Sequence, residues 1–163
     1  MKLIILFIGV LLTGLSAGFF YAWAVSVIPG TRKITDFTYL ETMQSINKEI
    51  LNPLFFIIFF GSLILMIFIT FQHFGKGIVF WLVLLASLSY LFGTFGVTAF
   101  GNVPLNNQLE ALSLRELSTS GAAEFRVYFE RQWNRLHNIR TVFSVLSFLL
   151  MLWATFIMIN PKN

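Results

Sequence analysis

The chain has 163 residues, 57% hydrophobic and only 11% charged, with 20 phenylalanines, no cysteine and a net charge of +4; its mean hydropathy is +0.81. A soluble domain carries about a quarter charged residues, so this is a membrane composition, and the lack of cysteine excludes disulfides, thiolate chemistry and cysteine-ligated metals. Its basic residues are dispersed among acids with no run or stacking platform, which speaks against nucleic acid and assigns the positive balance to topology and contact with anionic membrane lipids.

Four hydrophobic segments predict an all-α fold. We expect a single membrane domain over 1–163, a four-span transmembrane helix bundle with extramembrane helical connections after spans 1 and 3. The spans fall at about 3–28, 53–71, 78–100 and 141–159, each near the ~20 residues that cross a bilayer core. The first begins like a secretory signal, Met1-Lys2 followed by LIILFIGVLL, but its apolar run continues through Phe19, Phe20, Tyr21, Trp23 and Val27. That length predicts a retained span, not a cleaved leader. Gly14 and Gly18 in it form a GxxxG, which lets helices approach closely in lipid, either inside the bundle or in a homo-oligomer.

Pro29-Gly30 is expected to stop the first span. Residues 31–51 then read as a short amphipathic helix capped at Thr35 or Asp36, with Leu40, Met43, Ile46 or Asn47, and Ile50 on one face. Asn52-Pro53 opens the second span, and Gly75-Lys76-Gly77 joins it to the third. The third carries Ser87, Tyr90 or Leu91, Thr94, Thr98 and Gly101 on one face, running toward Asn102. Such hydroxyls bond back to their own helix, pack against a neighbour or line a cavity. An irregular elbow is expected at Asn102-Val-Pro-Leu-Asn106-Asn107, followed by two helical stretches separated near Ser118–Gly121; Asn160-Pro161 closes the fourth span.

An even number of spans puts both termini on one side, with Lys2, Lys76 and Lys162 and no acid; the 7 acids and the other eight Lys and Arg fall opposite. Counting Lys and Arg alone favours a cytoplasmic long-loop side. The Lys2 anchor pattern and the acid-free short loop favour cytoplasmic termini, the orientation expected here, in a bacterial cytoplasmic membrane.

The functional signal lies between Phe125 and Ser147, a charge-rich helix that turns into a hydrophobic span without a breaker. Trp133, His137, Arg140, Ser144 and Ser147 share one face, with Thr141 beside them. Arginine and histidine at the mouth of a span are costly unless they face a bundle interior, a cavity or each other. The elbow amides and the amides of Asn47 and Asn52 reach the same membrane face, so several amides, one imidazole and one guanidinium would converge above an aromatic pocket, as in a small-molecule site. His137 suits a base or proton relay, and Arg140 suits an enolate, phenolate or carboxylate. No metal is expected: His73 lies on the opposite side, and Glu130 points away from His137. Arg131 and Arg135 are expected to face water, headgroups or Glu130.

Five patterns occur in order: GLSAGFFYAWAVSVIPG at 14–30, D-x-x-Y-L-x-x-M-Q-x-I-N at 36–47, Asn52-Pro53, Asn102-x-Pro104-Leu105-Asn106, and Trp133-x-Arg135-x-His137-x-x-Arg140-Thr141. Together they resemble the anthrone oxygenase-like integral membrane proteins, over nearly the whole chain. The resemblance implies a four-span bundle and, for some members, oxidation of an anthrone to an anthraquinone with molecular oxygen. By match it carries over the positions Asn47, Asn102, Asn106, Trp133, His137 and Arg140; their roles, catalytic for His137 and Arg140 and substrate-binding for the other four, are our inference from the convergent polar stripe. No cofactor is obligatory for such a reaction, because an electron-rich enolate reacts with oxygen directly. The expected partner is a lipophilic aromatic or quinol-like small molecule.

The competing reading is a non-enzymatic membrane module, either binding a lipid or hydrophobic ligand or serving as an accessory subunit of a membrane complex. An exporter is a weaker third, since no acid lies inside a span to couple proton movement. Polar stripes facing a cavity would favour the enzyme. Pairing of His137 and Arg140 with loop acids such as Glu124 or Glu130, with no void, would favour the module.

Overall fold

The structure, a computed structural model, describes residues 2–160; Pro161 and Lys162, expected to close the fourth span and to add to the basic side, lie outside the described residues. Among these the fold is all helical. α1 (Lys2–Ala22) continues through a π-helical turn, Trp23–Val27, into the short α2 (Ile28–Thr31). After α3 (Asp36–Glu49) and α4 (Pro53–Gln72), α5 (Gly77–Leu88) runs through two π-helical stretches, Ser89–Gly96 and Thr98–Asn102, into α6 (Val103–Glu110). The chain ends in α7 (Thr119–Ile159), 41 residues without a break.

Among the described residues, four helical rods are long and apolar enough to cross a membrane: Leu3–Thr31, Pro53–Gln72, Gly77–Glu110 and Thr119–Ile159. They form a ring in which each packs chiefly on its sequence neighbours and the fourth closes on the first. Large apolar side chains cover the outside, among them Leu54, Phe71, Phe100 and Trp153. A surface this greasy is tolerable only against lipid, and the architecture is that of an integral membrane protein.

Two expectations give way. Pro29 does not stop the first span, and the elbow at 102–106 is helical, so the third span reaches Glu110 instead of ending near Phe100. Both corrections have one cause. A proline ring obstructs the carbonyl four residues back, and for Pro29 and Pro104 those carbonyls belong to Val25 and Phe100, both inside π-helical turns. There the hydrogen-bond register is i to i+5, so the helix absorbs a proline that a regular α-helix would reject.

The caps are orthodox. The side-chain oxygens of Thr35, Asn52 and Ser118 accept from the backbone N–H groups of Thr38, Phe55 and Gly121. The short loop turns on Gly75 and Gly77, with φ of 71° and 59°, values that only glycine adopts without strain. Between the spans, polar side chains join the helices: Ser147 Oγ donates to Ala86 O at 2.8 Å, and Ser16 Oγ meets Tyr90 Oη at 2.8 Å. Gly14 of the GxxxG lies against the Phe148 ring of α7, whereas Gly18 faces open space.

At the long-loop end a second core forms from Ile28, Tyr39, Leu40, Met43, Leu105, Leu109, Phe129 and Trp133. Gln44 Nε2 donates to the carbonyls of Leu109 and Leu112, tying α3 to the end of α6. Arg126 of α7 holds the assembly together. It donates to the carbonyls of Thr31 and Ile34 at 3.1 and 2.7 Å, to Asp36 Oδ1 at 3.0 Å and to Glu130 Oε2 at 3.2 Å. Its guanidinium also lies 4.6 Å from the Tyr39 ring centroid. These bonds fix where the first span ends and α3 begins, and α3 roofs the site described next.

Candidate functional site

A cavity of about 350 Å³ sits where the first and third spans, α3 and α7 meet. Its walls are aromatic, from Phe19, Phe20, Trp23, Phe55 and Trp133. Its polar lining comes from Asn47, Asn106, Asn107, Thr98 and Arg140, with Lys48 and Glu110 at the edge. Lys48 and Glu110 form an exposed ion pair at 2.9 Å. The volume and the sparse polar lining are those of a small-molecule pocket.

Arg140 is the centre of the site. It is 8% exposed, and its guanidinium lies 4.7 Å from the Phe20 ring centroid and 5.0 Å from that of Trp133. Its Nε and Nη2 donate to His137 Nδ1 at 3.2 and 3.0 Å, and Nη1 donates to Thr98 Oγ1 at 3.4 Å. A guanidinium has five N–H bonds, so two are left without an acceptor among the described residues. No carboxylate there comes within ion-pairing distance of it. A buried, unpaired cation is costly, and here it faces a hollow.

His137 lies behind Arg140 and outside the cavity lining. It is fully buried, and its Trp133 neighbour stacks on it with centroids 5.1 Å apart and planes 6° from parallel. Because arginine cannot accept, His137 Nδ1 must offer a lone pair. The proton then sits on Nε2, which donates to Phe20 O at 3.0 Å. Both ring nitrogens are engaged. The imidazole fixes the guanidinium from the side away from the cavity.

The amides divide in the same way. Asn47 and Asn106 line the cavity. Asn106 Oδ1 accepts from Trp133 Nε1 at 2.9 Å, which fixes the indole, and Asn47 Nδ2 is buried without a partner among the described residues. Asn102 sits one layer back, where Nδ2 donates to Trp133 O at 3.3 Å and Oδ1 has no partner among the described residues. Of the six residues expected from the sequence, four therefore face the cavity and two brace those that do. Neither Arg140 nor His137 pairs with Glu124 or Glu130; Glu130 instead bonds Arg126 and Arg32, while Arg131 and Arg135 are exposed. No cluster of three metal-ligating side chains gathers among the described residues.

Winding brings the third span's contribution into line. Tyr90, Thr94, Thr98 and Asn102 are all buried at an exact spacing of four. In a regular α-helix that spacing drifts by about 40° per step, but the π-helical turns wind more slowly and keep the row on one face. Thr94 Oγ1 donates to Arg140 O at 3.3 Å, docking the row onto α7. π-turns of this kind recur at functional sites.

Sequence reasoning misses Phe20, Trp23 and Glu110. Phe20 and Trp23 sit in an apolar run with no polar mark to single them out. Glu110 reads as a loop acid until the third span is extended to include it.

A family model described as anthrone oxygenase matches residues 45–150, from the last turns of α3 to the middle of the α7 span. No curated protein and no solved structure matches the chain.

Proposed function

Because this chain belongs to the anthrone oxygenase family, we propose that it is a membrane oxidoreductase that oxidises a lipophilic aromatic or quinol-like compound in the cavity beneath α3. One observation carries the reading: among the described residues, Arg140 is a buried guanidinium with two unused N–H bonds and no carboxylate partner, at the wall of an aromatic hollow. Such a group is built to receive an oxyanion.

An anthrone-type substrate supplies that oxyanion. Its carbonyl acidifies the opposite ring carbon, and loss of a proton there gives an enolate whose oxygen the guanidinium and the free Asn47 amide hold. The electron-rich carbanion centre adds molecular oxygen, and the hydroperoxide formed sheds water to leave the quinone. Overall one anthrone and one O₂ give one anthraquinone and one H₂O. Phe20, Trp23 and Trp133 hold the ring plane, and the apolar walls around Arg140 strengthen its charge contact. The base role expected for His137 needs a free ring nitrogen, and both are occupied. We assign His137 to positioning Arg140. Glu110, the carboxylate on the cavity lining, receives the proton. The Lys2 anchor pattern and the acid-free short loop support a topology with cytoplasmic termini.

Purified protein in nanodiscs at neutral pH, given anthrone, tests this through oxygen uptake and quinone absorbance. Arg140→Ala should lower the rate above the uncatalysed background by about 100-fold, the loss of one charge-assisted contact from a buried guanidinium. An unchanged rate would remove the proposal. The non-enzymatic reading predicts no turnover in either protein but Arg140-dependent binding.

A further inference from the structure

A second hollow of about 250 Å³ lies beside the first, and the two share Phe19, Phe20, Ile50 and Phe55 as a common wall. Its remaining lining is Ser16, Asn52, Leu54 and Ile58, from facing sides of the first and second spans. The partition is thin: the Phe19 and Phe55 rings meet with centroids 5.8 Å apart. The outer lip belongs to the lipid surface, since Leu54 is 74% exposed and Phe19 39%.

The two hollows differ in what their polar atoms are doing. In the second, every polar side chain is already bonded inside the protein. Ser16 Oγ pairs with Tyr90 Oη, Asn52 Oδ1 accepts from Phe55 N at 3.0 Å, and Asn52 Nδ2 donates to Glu49 O at 2.7 Å. Each polar atom there already has a partner in the protein and the rest of the lining is apolar, so its occupant is hydrocarbon. In the first, two N–H bonds of Arg140 and the Asn47 Nδ2 have no partner among the described residues. One end of the paired cavity asks for an oxyanion and the other for a chain that ends in lipid.

We infer that the ligand is an amphiphile: an alkyl- or prenyl-substituted phenol or hydroquinone whose ring oxygen sits at Arg140 and whose tail leaves between the first and second spans into the bilayer. This rests on the reading of the first cavity as an aromatic oxyanion site, and it narrows the substrate to a tailed class. The tail passes between Phe19 and Phe55, whose rings turn aside to join the two hollows. Because a chain in lipid gains little by moving onto apolar protein, blocking the groove is a sharper test than lengthening the chain.

The experiment measures binding of two probes to protein in nanodiscs by calorimetry, corrected for partition into empty discs: a decyl-substituted dimethoxy-methyl-hydroquinone and its tail-less parent. Ile58→Trp fills the groove and should weaken the decyl probe at least ten-fold while leaving the tail-less one within two-fold. Leu54→Trp, at the exposed lip and without a packing burden, should give the same pattern at smaller size. Arg140→Ala should weaken both probes alike. If both tryptophan variants leave the decyl probe unaffected, the tail route is wrong while the oxyanion site stands on the Arg140 result. If Arg140→Ala changes neither probe but Ile58→Trp still excludes the tail, the oxyanion reading falls and the groove remains. Failure of the unaltered protein to bind either probe overturns both.

Discussion

Arg140 directs two of its N–H bonds at the Nδ1 of His137, one turn earlier on α7, at 3.2 and 3.0 Å. Hydrogen-bond inventory then fixes the tautomer: the imidazole accepts at Nδ1 and donates from Nε2 to Phe20 O. A carbonyl of the first span thus sets the orientation of a guanidinium on the fourth, with the ring as intermediary. Trp133 closes the arrangement by stacking on His137, and Asn106 in turn holds Trp133.

That chain of contacts gives a test of whether His137 positions or acts as a base. In His137→Asn the amide oxygen stands near the place of Nδ1 and still accepts from Arg140, but it cannot take a proton at neutral pH. Binding of a phenolate probe and anthrone oxidation should both survive within about ten-fold, the cost of one lost hydrogen bond to Phe20 O. In His137→Ala both should fall by about 30-fold or more, because Arg140 loses its anchor and a buried carbonyl loses its donor. A base would show the opposite split: both variants inactive, with binding of the probe intact and the pH dependence of the rate abolished.

The spans were legible because lipid demands long apolar runs, and the helix starts at Thr35 and Asn52 because those side chains bond locally. The stripe from Trp133 to Ser147 was legible because α7 is regular, so i+3 and i+4 spacing maps directly onto one face. What stayed hidden depends on winding or on backbone. The π-helical turns leave no residue signature, so Pro29 and Pro104 read as breaks and the third span was cut ten residues short of Glu110. The acceptors of His137 and Arg126 are carbonyls of Phe20, Thr31 and Ile34, which every residue possesses. No side-chain pattern predicts which of them a distant donor will find.

Arg126 should matter more for stability than any other ion-paired residue at the long-loop end. Its side chain is 11% exposed, and it serves two carbonyls and two carboxylates. Arg126→Ala strands those partners and should cost about 3 kcal/mol, as when one member of a buried pair is removed. Lys48→Ala removes an exposed partner of Glu110 and should cost no more than about 1 kcal/mol. Thermal unfolding in detergent, followed by near-ultraviolet circular dichroism, compares the two. Equal losses would mean that the Arg126 contacts do not hold α3 in place.

Tyr39, in α3 outside the spans, gives a pH signature. Burial, reinforced by the nearby charge of Glu130 and opposed by Arg126, pushes its phenol well above the ordinary value near 10. The fold therefore prefers the neutral form. Its contribution is fully present below pH ~10 and is lost as pH rises from there toward the raised native value. Tyr39→Phe removes the titration, so alkaline unfolding between about pH 10 and 12 should become less steep while stability at neutral pH changes little. A variant whose alkaline limb matches that of the unaltered protein would place the loss elsewhere.

At Gly93 the third span lies directly against Phe143 of α7. A Cβ built there would overlap the Cγ and Cβ atoms of Phe143. Cβ is fixed to the α7 backbone, so a rotamer change of the ring relieves only part of the clash, and the helices must separate. Gly93→Ala should then destabilise the bundle by about 2 kcal/mol, the usual scale of overpacking. It should also loosen the Thr94 contact to the Arg140 carbonyl, which lies one residue from the clash. Phe143→Ala leaves its own gap, but in combination with Gly93→Ala it removes the ring against which the new methyl presses. The double variant should be more stable than the sum of the single losses predicts, with a coupling of about 1 kcal/mol. Strict additivity in chemical unfolding of the four proteins would mean that the two helices do not meet at this pair.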